Sequence, residues 1–264
     1  MSTALILVGH GSARHPDSAA PILALAEELR RRGPWSEVVA VFMKQPPHLD
    51  QALERVSGET VVVIPVFAGK GYYTDTLIPR GMGLDGPLTI RGGRRILYTA
   101  PAGGQPRIPG LMACRADGVA RECGWRPEQT SLLLIAHGSQ RPGGAGETPR
   151  AIASAIAAHN HFAEVELSFL EQPPFAETWE QIVHGPRVVA LPLLVAQGMH
   201  ASQDIPPLFG LSSGQTGPVE INGRIVRLAT GLGAEPELVD IIAEMAETAL
   251  ASAQDSPLPG GFHT

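Results

Sequence analysis

Residues 7–12 read Leu7-Val8-Gly9-His10-Gly11-Ser12, and residues 134–139 read Leu134-Ile135-Ala136-His137-Gly138-Ser139. Each is an apolar run closed by His-Gly-Ser, and the two lie 127 residues apart. Working outward, Lys44-Gln45-Pro46-Pro47 answers Glu171-Gln172-Pro173-Pro174 at the same offset. So do Val62-Val63-Ile64-Pro65-Val66 and Val189-Ala190-Leu191-Pro192-Leu193, and then Ile78-Pro79 and Ile205-Pro206. Later landmarks fall three residues further apart, Pro106 answering Pro236, which places a short insertion in the Gly- and Ser-rich stretch 210–217. The chain is a tandem duplication. Its period is too long for a solenoid unit, so each copy reads as a small domain.

Within each copy, β-rich runs alternate with helical periodicity. Residues 4–8, 38–42, 60–67 and 96–99 read as strands. Ile22, Leu23, Leu25, Ala26 and Leu29 mark one face of a helix, a short helix is expected after the Pro-Pro pair, and a closing helix after Pro106. The all-apolar third strand is what a strand covered on both faces requires. Alternation of this kind predicts parallel sheets with right-handed crossovers. The expected fold is α/β, with two tandem flavodoxin-like lobes, each a parallel sheet flanked by helices. The expected boundaries are 1–126 and 127–255, joined near residues 125–129, with a disordered Pro- and Gly-rich tail at 256–264.

Composition narrows the function. Hydrophobic residues make up 44% of the 264 and charged residues 17%, enough apolar material for a packed core. The net charge of −6 argues against nucleic-acid binding. No apolar run approaches the roughly 20 residues of a membrane span, and the N-terminal apolar run reads as a buried strand, not a leader. Cys114 and Cys123 read as reduced thiols, and the chain as a cytoplasmic protein.

In an open parallel sheet, ligands gather at the carboxyl ends of the strands. His137 follows the first strand of the second copy, Glu171 the second and His200 the third. Two imidazoles and a carboxylate suit a borderline divalent ion better than Mg²⁺. The first copy carries His10, Lys44 and Tyr73 at the corresponding places, and an ammonium there opposes a metal ion. With Tyr72 nearby, that set suits a flat, anionic organic ligand. Arg14 and Arg141 read as loop charges or as carboxylate clamps. His48, His159, His161, His184 and His263 read as structural histidines. Gly143-Gly144-Ala145-Gly146 lacks the Lys-Ser/Thr of a P-loop and reads as a flexible entry to the following helix, and Ser12 and Ser139 lack a nucleophile elbow.

His137-Gly138-Ser139, Leu170-Glu171 with Pro173 close behind, Gly198-Met199-His200 after Pro192-Leu193-Leu194, and Asp204-Ile205-Pro206 carry a resemblance over nearly the whole chain. They resemble the class II chelatases that act on sirohydrochlorin, the cobalt- and iron-inserting lyases of cobalamin and siroheme synthesis. Members are short homodimers or double-length fused chains with the site in a cleft between lobes, and this chain resembles the fused form. In fused members the first half often keeps the ligand set, which Lys44 and Tyr73 replace here. The resemblance implies ATP-independent insertion of Co²⁺ or Fe²⁺, with Ni²⁺ a further candidate, into an anionic tetrapyrrole, with no cofactor beyond that metal. It makes His137, Glu171 and His200 the catalytic and metal-binding set. It gives Arg14, Arg141, Lys44, Tyr73 and His10 to the substrate. A monomer with pseudo-twofold lobes is expected. A metal or tetrapyrrole carrier without turnover is the alternative, and a metal-dependent hydrolase on the same fold a third reading.

Overall fold

The computed structural model describes residues 2–140, 146–195 and 204–254. Arg141, His200 and the expected tail 256–264 lie outside the described residues. The first sheet contains β1 (Thr3–Gly9), β2 (Glu37–Phe42), β3 (Thr60–Pro65), β4 (Leu88–Arg91) and β5 (Arg94–Tyr98), in the order β2-β1-β3-β5-β4. The second contains β6 (Ser131–Ala136), β7 (Glu164–Phe169), β8 (Arg187–Pro192), β9 (Val219–Ile221) and β10 (Arg224–Leu228), in the order β7-β6-β8-β10-β9. The longer helices are α1 (Ala20–Arg32), α3 (Ile108–Glu122), α4 (Glu147–Ala157) and α7 (Leu238–Gln254); α2 (Ile78–Met82), α5 (Trp179–Ile182) and α6 (Ile205–Leu208) are short. No helix among the described residues is long and apolar enough to cross a membrane.

Four strands of each sheet run parallel, and β3 is buried along its whole length, as its unbroken apolar sequence requires. The fifth departs from the all-parallel expectation: β4 and β9 are antiparallel edges. Their turns, Gly92-Gly93 and Asn222-Gly223, have positive φ at both residues, the requirement of a tight hairpin whose twist matches its strands. Such dipeptides between apolar runs announce a hairpin, and only the second strand of each pair was expected from β-propensity. The short helix expected after the first Pro-Pro pair is the 3₁₀ helix Leu49–Arg55, whereas Leu23, expected on the buried face of α1, is exposed because it lies off the Ile22, Leu25, Ala26 and Leu29 stripe.

The closing helix of each repeat packs on the other repeat. α3, which follows β5, lies against α4 and β8; α7, which follows β10, lies against α1, β3 and β5. Ile108, Met112, Ala116, Val119 and Ala120 form the buried stripe of α3, and Leu238, Ile241, Ile242, Met245 and Ala246 are buried along α7. The largest core cluster therefore runs through both halves, from Leu5 and Val62 to Leu134 and Leu191. Polar contacts fix the register of the exchange. Arg32 meets Asp240 at 3.2 Å, Arg115 donates to Thr230 at 2.8 Å and faces Glu235 at 3.4 Å, and His161 meets Asp117 at 3.2 Å. Arg107 also pairs with Glu244. The exposed pairs, Arg32–Asp240 and Arg107–Glu244, contribute little energy, and the apolar stripes carry the association. Burial pushes the Glu235 carboxyl up, against the pull of Arg115.

Glu37 and Glu164 open the second strand of each half and hold the loop before the third. Glu37 accepts from the Ser57 hydroxyl at 2.7 Å and the Ser57 N–H at 2.9 Å. Glu164 accepts from the Ser131 hydroxyl at 2.5 Å and the N–H groups of His184 and Gly185 at 2.9 and 2.8 Å. Burial raises the Glu164 carboxyl, but these donors outweigh it, and the net direction is down; the Ser57 donors take Glu37 the same way.

Three outcomes are expected. A folded pKa below the ordinary carboxylate value of 4.5 means that Glu164 stabilises the fold above that pH and loses its contribution as pH falls through the folded value. Glu164→Gln will therefore lie below wild type in urea midpoint at about pH 7, and the gap will narrow as pH falls below the ordinary carboxylate value toward the folded one. Ile242→Ala, at a fully buried position on α7, will cost about 2–5 kcal/mol. Hydrogen exchange will show β1 and β6 losing protection together, because the halves share a core.

Candidate functional site

Each chain passage out of β1 goes to β2 on one side, and the next returns to β3 on the other, so the crevice of an open sheet forms at the carboxyl ends of β1 and β3. The second half repeats this with β6 and β8. His10 and His137 are the first residues beyond β1 and β6, and the main-chain ladder continues past them. The Lys44 N–H donates to the His10 carbonyl at 3.0 Å, and the Glu171 N–H to the His137 carbonyl at 2.9 Å. The topology thus sets the side chains at positions 10 and 44, and 137 and 171, beside each other.

In the second half this juxtaposition is an imidazole and a carboxylate. His137 Nδ1 lies 3.7 Å from Glu171 Oε2 and 3.2 Å from the Gly138 carbonyl oxygen, with both side chains about 40% exposed (38% and 41%). Two ligand bonds of about 2.1 Å span at most about 4.2 Å, so one divalent ion fits between these atoms. No group of three His, Cys, Asp or Glu side chains placed to hold a metal ion occurs among the described residues. The third expected ligand, His200, belongs to the undescribed stretch after β8, and Arg141 to the one after Gln140.

The first half presents a different surface on the same backbone. The His10 and Tyr73 rings meet edge to face with centroids 5.1 Å apart, Phe67 stacks on Tyr73 at 6.1 Å, and Tyr72 stands 6.4 Å from Tyr73. Lys44 and Arg14 are exposed. The turn that carries Tyr73, the π-helical Tyr73–Leu77, is held from beneath by Tyr98, whose hydroxyl donates to the Thr74 carbonyl at 2.6 Å. Burial raises the Tyr98 phenol, so it stays a neutral donor. Phe67 and Tyr98 were not singled out from sequence; the usable signal was that Leu228 stands where Tyr98 does in the other copy.

The halves meet at these rims. The Lys70 N–H lies 3.3 Å from Thr148 Oγ1 at the start of α4, and a Cβ on Gly69 would fall 2.5 Å from Thr148 Cβ. His161 serves the α3 contact with Asp117, as a structural histidine should. Cys114 and Cys123 are free thiols.

Comparison with known proteins places this arrangement. Over 276 aligned residues the chain is 27% identical to a protein of Halobacterium salinarum named probable sirohydrochlorin cobaltochelatase, covering 96% of this chain and 94% of that one. The sirohydrochlorin cobaltochelatase of Methanosarcina barkeri is 31% identical over 129 residues, 47% of this chain and 98% of its own length. Among solved structures, a multi-domain Deinococcus radiodurans protein with structural similarity to chelatases and two additional novel domains superposes with a TM-score of 0.76 at 29% identity. That match covers 93% of this chain, which spans about half (54%) of the larger protein. The sirohydrochlorin chelatase SirB from Bacillus subtilis subspecies spizizenii, in complex with cobalt, shares the fold at a TM-score of 0.70 and 18% identity, over 97% of this chain and 98% of its own. The CbiX family model matches residues 4–118 and again residues 131–249, and the chain belongs to the CbiX family, whose repeat it carries twice.

Proposed function

We propose that this chain inserts a divalent metal, Co²⁺ or Fe²⁺, into sirohydrochlorin without ATP and with no cofactor beyond the metal substrate. One observation carries the reading: an imidazole and a carboxylate, 3.7 Å apart on the carboxyl rim of one repeat, in a double CbiX chain whose full-length relative bears a cobaltochelatase name. The relatives' names favour cobalt, and a SirB structure with Fe³⁺ shows that the shared fold also accommodates iron.

His137 and Glu171, with His200 by its motif position, hold the incoming ion. Borderline divalent ions accept this mixture of nitrogen and oxygen donors. Metallation displaces two pyrrole N–H protons from the macrocycle. In this reading Glu171 and His137, with His200 by its motif position, accept those protons as the ion passes to the four pyrrole nitrogens. The first half supplies the opposing surface. Tyr73, braced by Phe67 and His10, offers ring faces and edges to a flat macrocycle, and Lys44 and Arg14 meet its carboxylates, with Arg141 assigned the same task. Lys44 also keeps a second ion from this rim, so that the charge of the metal and the charge of the substrate are handled on different halves. We take the chain to work in the cytoplasm as a monomer with pseudo-twofold halves.

The deciding experiment is anaerobic absorbance spectroscopy of sirohydrochlorin with Co²⁺ or Fe²⁺, with and without the protein. Catalysed appearance of the metallated product supports the proposal; a stoichiometric spectral shift without turnover would make the protein a carrier instead. His137→Ala, Glu171→Ala and His200→Ala are each expected to slow insertion by about 100-fold or more. Lys44→Ala is expected to raise the KM for the tetrapyrrole about tenfold, the loss of one charge-assisted contact, with Co²⁺ affinity unchanged in a titration without tetrapyrrole.

A further inference from the structure

Gln172 and its counterpart Gln45 adjoin the residues that differ between the halves, yet they are the same in both. Gln172 Oε1 accepts from the Ser139 N–H at 2.9 Å, and Gln45 Oε1 accepts from the Ser12 N–H at 2.7 Å. In both cases the bond reaches across from the third residue beyond the second strand to the turn after the first. The glutamine stems lie over the glycine of His-Gly-Ser. A Cβ on Gly138 would fall 2.7 Å from Gln172 Cγ, and one on Gly11 would fall 2.8 Å from Gln45 Cγ. Both glycines have positive φ, 76° and 65°, so the turn needs glycine for its backbone as well as for this contact.

Each glutamine also reaches the far end of the loop it closes. Gln45 Oε1 takes a second, longer contact from the Ser18 hydroxyl at 3.4 Å. Gln172 Nε2 lies 2.8 Å from the position a Cβ would take on Gly146, which opens α4. One amide thus spans the base of the loop between the first strand and the following helix. The His137–Glu171 pair is consequently tied twice: by the main-chain bond from Glu171 to His137, and by the side-chain bond between their neighbours, Ser139 and Gln172.

We propose that Gln172 is a positioning residue for metal capture, holding His137 at bridging distance from Glu171, and that Gln45 does the same for the substrate-facing His10 turn. The inference rests on the chelatase reading for what the two turns carry. It assigns one device to two tasks, because the backbone it shapes is shared and the side chains mounted on that backbone are not. An amide that orients a ligand without touching the ion acts as outer partners of metal sites do, through geometry.

The test measures Co²⁺ affinity by visible absorption without tetrapyrrole, and separately the KM for sirohydrochlorin, in variants whose far-UV circular dichroism matches wild type. Gln172→Met keeps the stem and removes the acceptor; it is expected to weaken Co²⁺ binding about tenfold to 100-fold. Gln172→Glu, which still accepts from Ser139, should restore it to within about threefold of wild type. Gln45→Met should leave Co²⁺ affinity within about twofold and raise the KM. Wild-type Co²⁺ affinity in Gln172→Met, with binding lost in His137→Ala, would overturn the positioning role and leave the chelatase reading intact. Wild-type affinity in His137→Ala would instead remove the metal assignment and the inference with it. If Gln172→Met does not fold, Gln172→Asn, one methylene short of Ser139, makes the same test with the same overturning result.

Discussion

The apolar stripes of α3 and α7 have their partners across the molecule, and that exchange is the constraint on which the rest depends. Each parallel sheet needs helices on both faces, and one of those helices comes from the other repeat. The halves therefore cannot drift apart without exposing Met112 and Ala116 on one side, or Ile242 and Ala246 on the other, all fully buried. With the sheets held this way, the loop after β3 comes to rest against the start of α4, where Gly69 leaves no room for a side chain between itself and Thr148. The spacing of the two rims is a product of core packing, set far from the groups that would meet a ligand.

On this frame the repeats keep a common backbone and differ in charge. The ladder bonds from residue 44 to 10 and from residue 171 to 137 are the same bond twice, 3.0 and 2.9 Å long. What they bring together is an imidazole beside an ammonium in one half and an imidazole beside a carboxylate in the other. A cation attracts anionic ligands and repels metal ions at the same position where an anion does the reverse. The charge of the rim thus differs between the halves while the ladder beneath it does not.

Much of this was legible in the sequence because a duplicated chain acts as its own comparison. The offset of 127 aligned His10 with His137 and Lys44 with Glu171, and strand-ending positions in a parallel sheet converge by topology alone. The hairpins at Gly92-Gly93 and Asn222-Gly223 were also written there, in turn chemistry and not in β-propensity. Gln45 and Gln172 stood inside a recognised landmark but carry no charge and bind no metal, so their task emerged only with the Ser12 and Ser139 N–H groups beside them. The helix exchange was beyond reach. A buried stripe on α3 reads the same whichever sheet covers it, since periodicity reports that a face is covered and not by what. Tyr98 was hidden for a related reason: its hydroxyl acts on Thr74, 24 residues away, through a bond with no local pattern.

The short connection between α3 and β6, a 3₁₀ turn at Pro127–Gln129, has a consequence for concentration. Relatives about half this length, such as the 129-residue match that covers 98% of the Methanosarcina barkeri protein, carry a single repeat. A pairing of two such chains would be a bimolecular event, and its occupancy would fall on dilution. Here the pairing is intramolecular, with an effective concentration on the order of millimolar for a short linker. The contact between the loop after β3 and the start of α4 therefore forms within one chain, and it always joins unlike repeats.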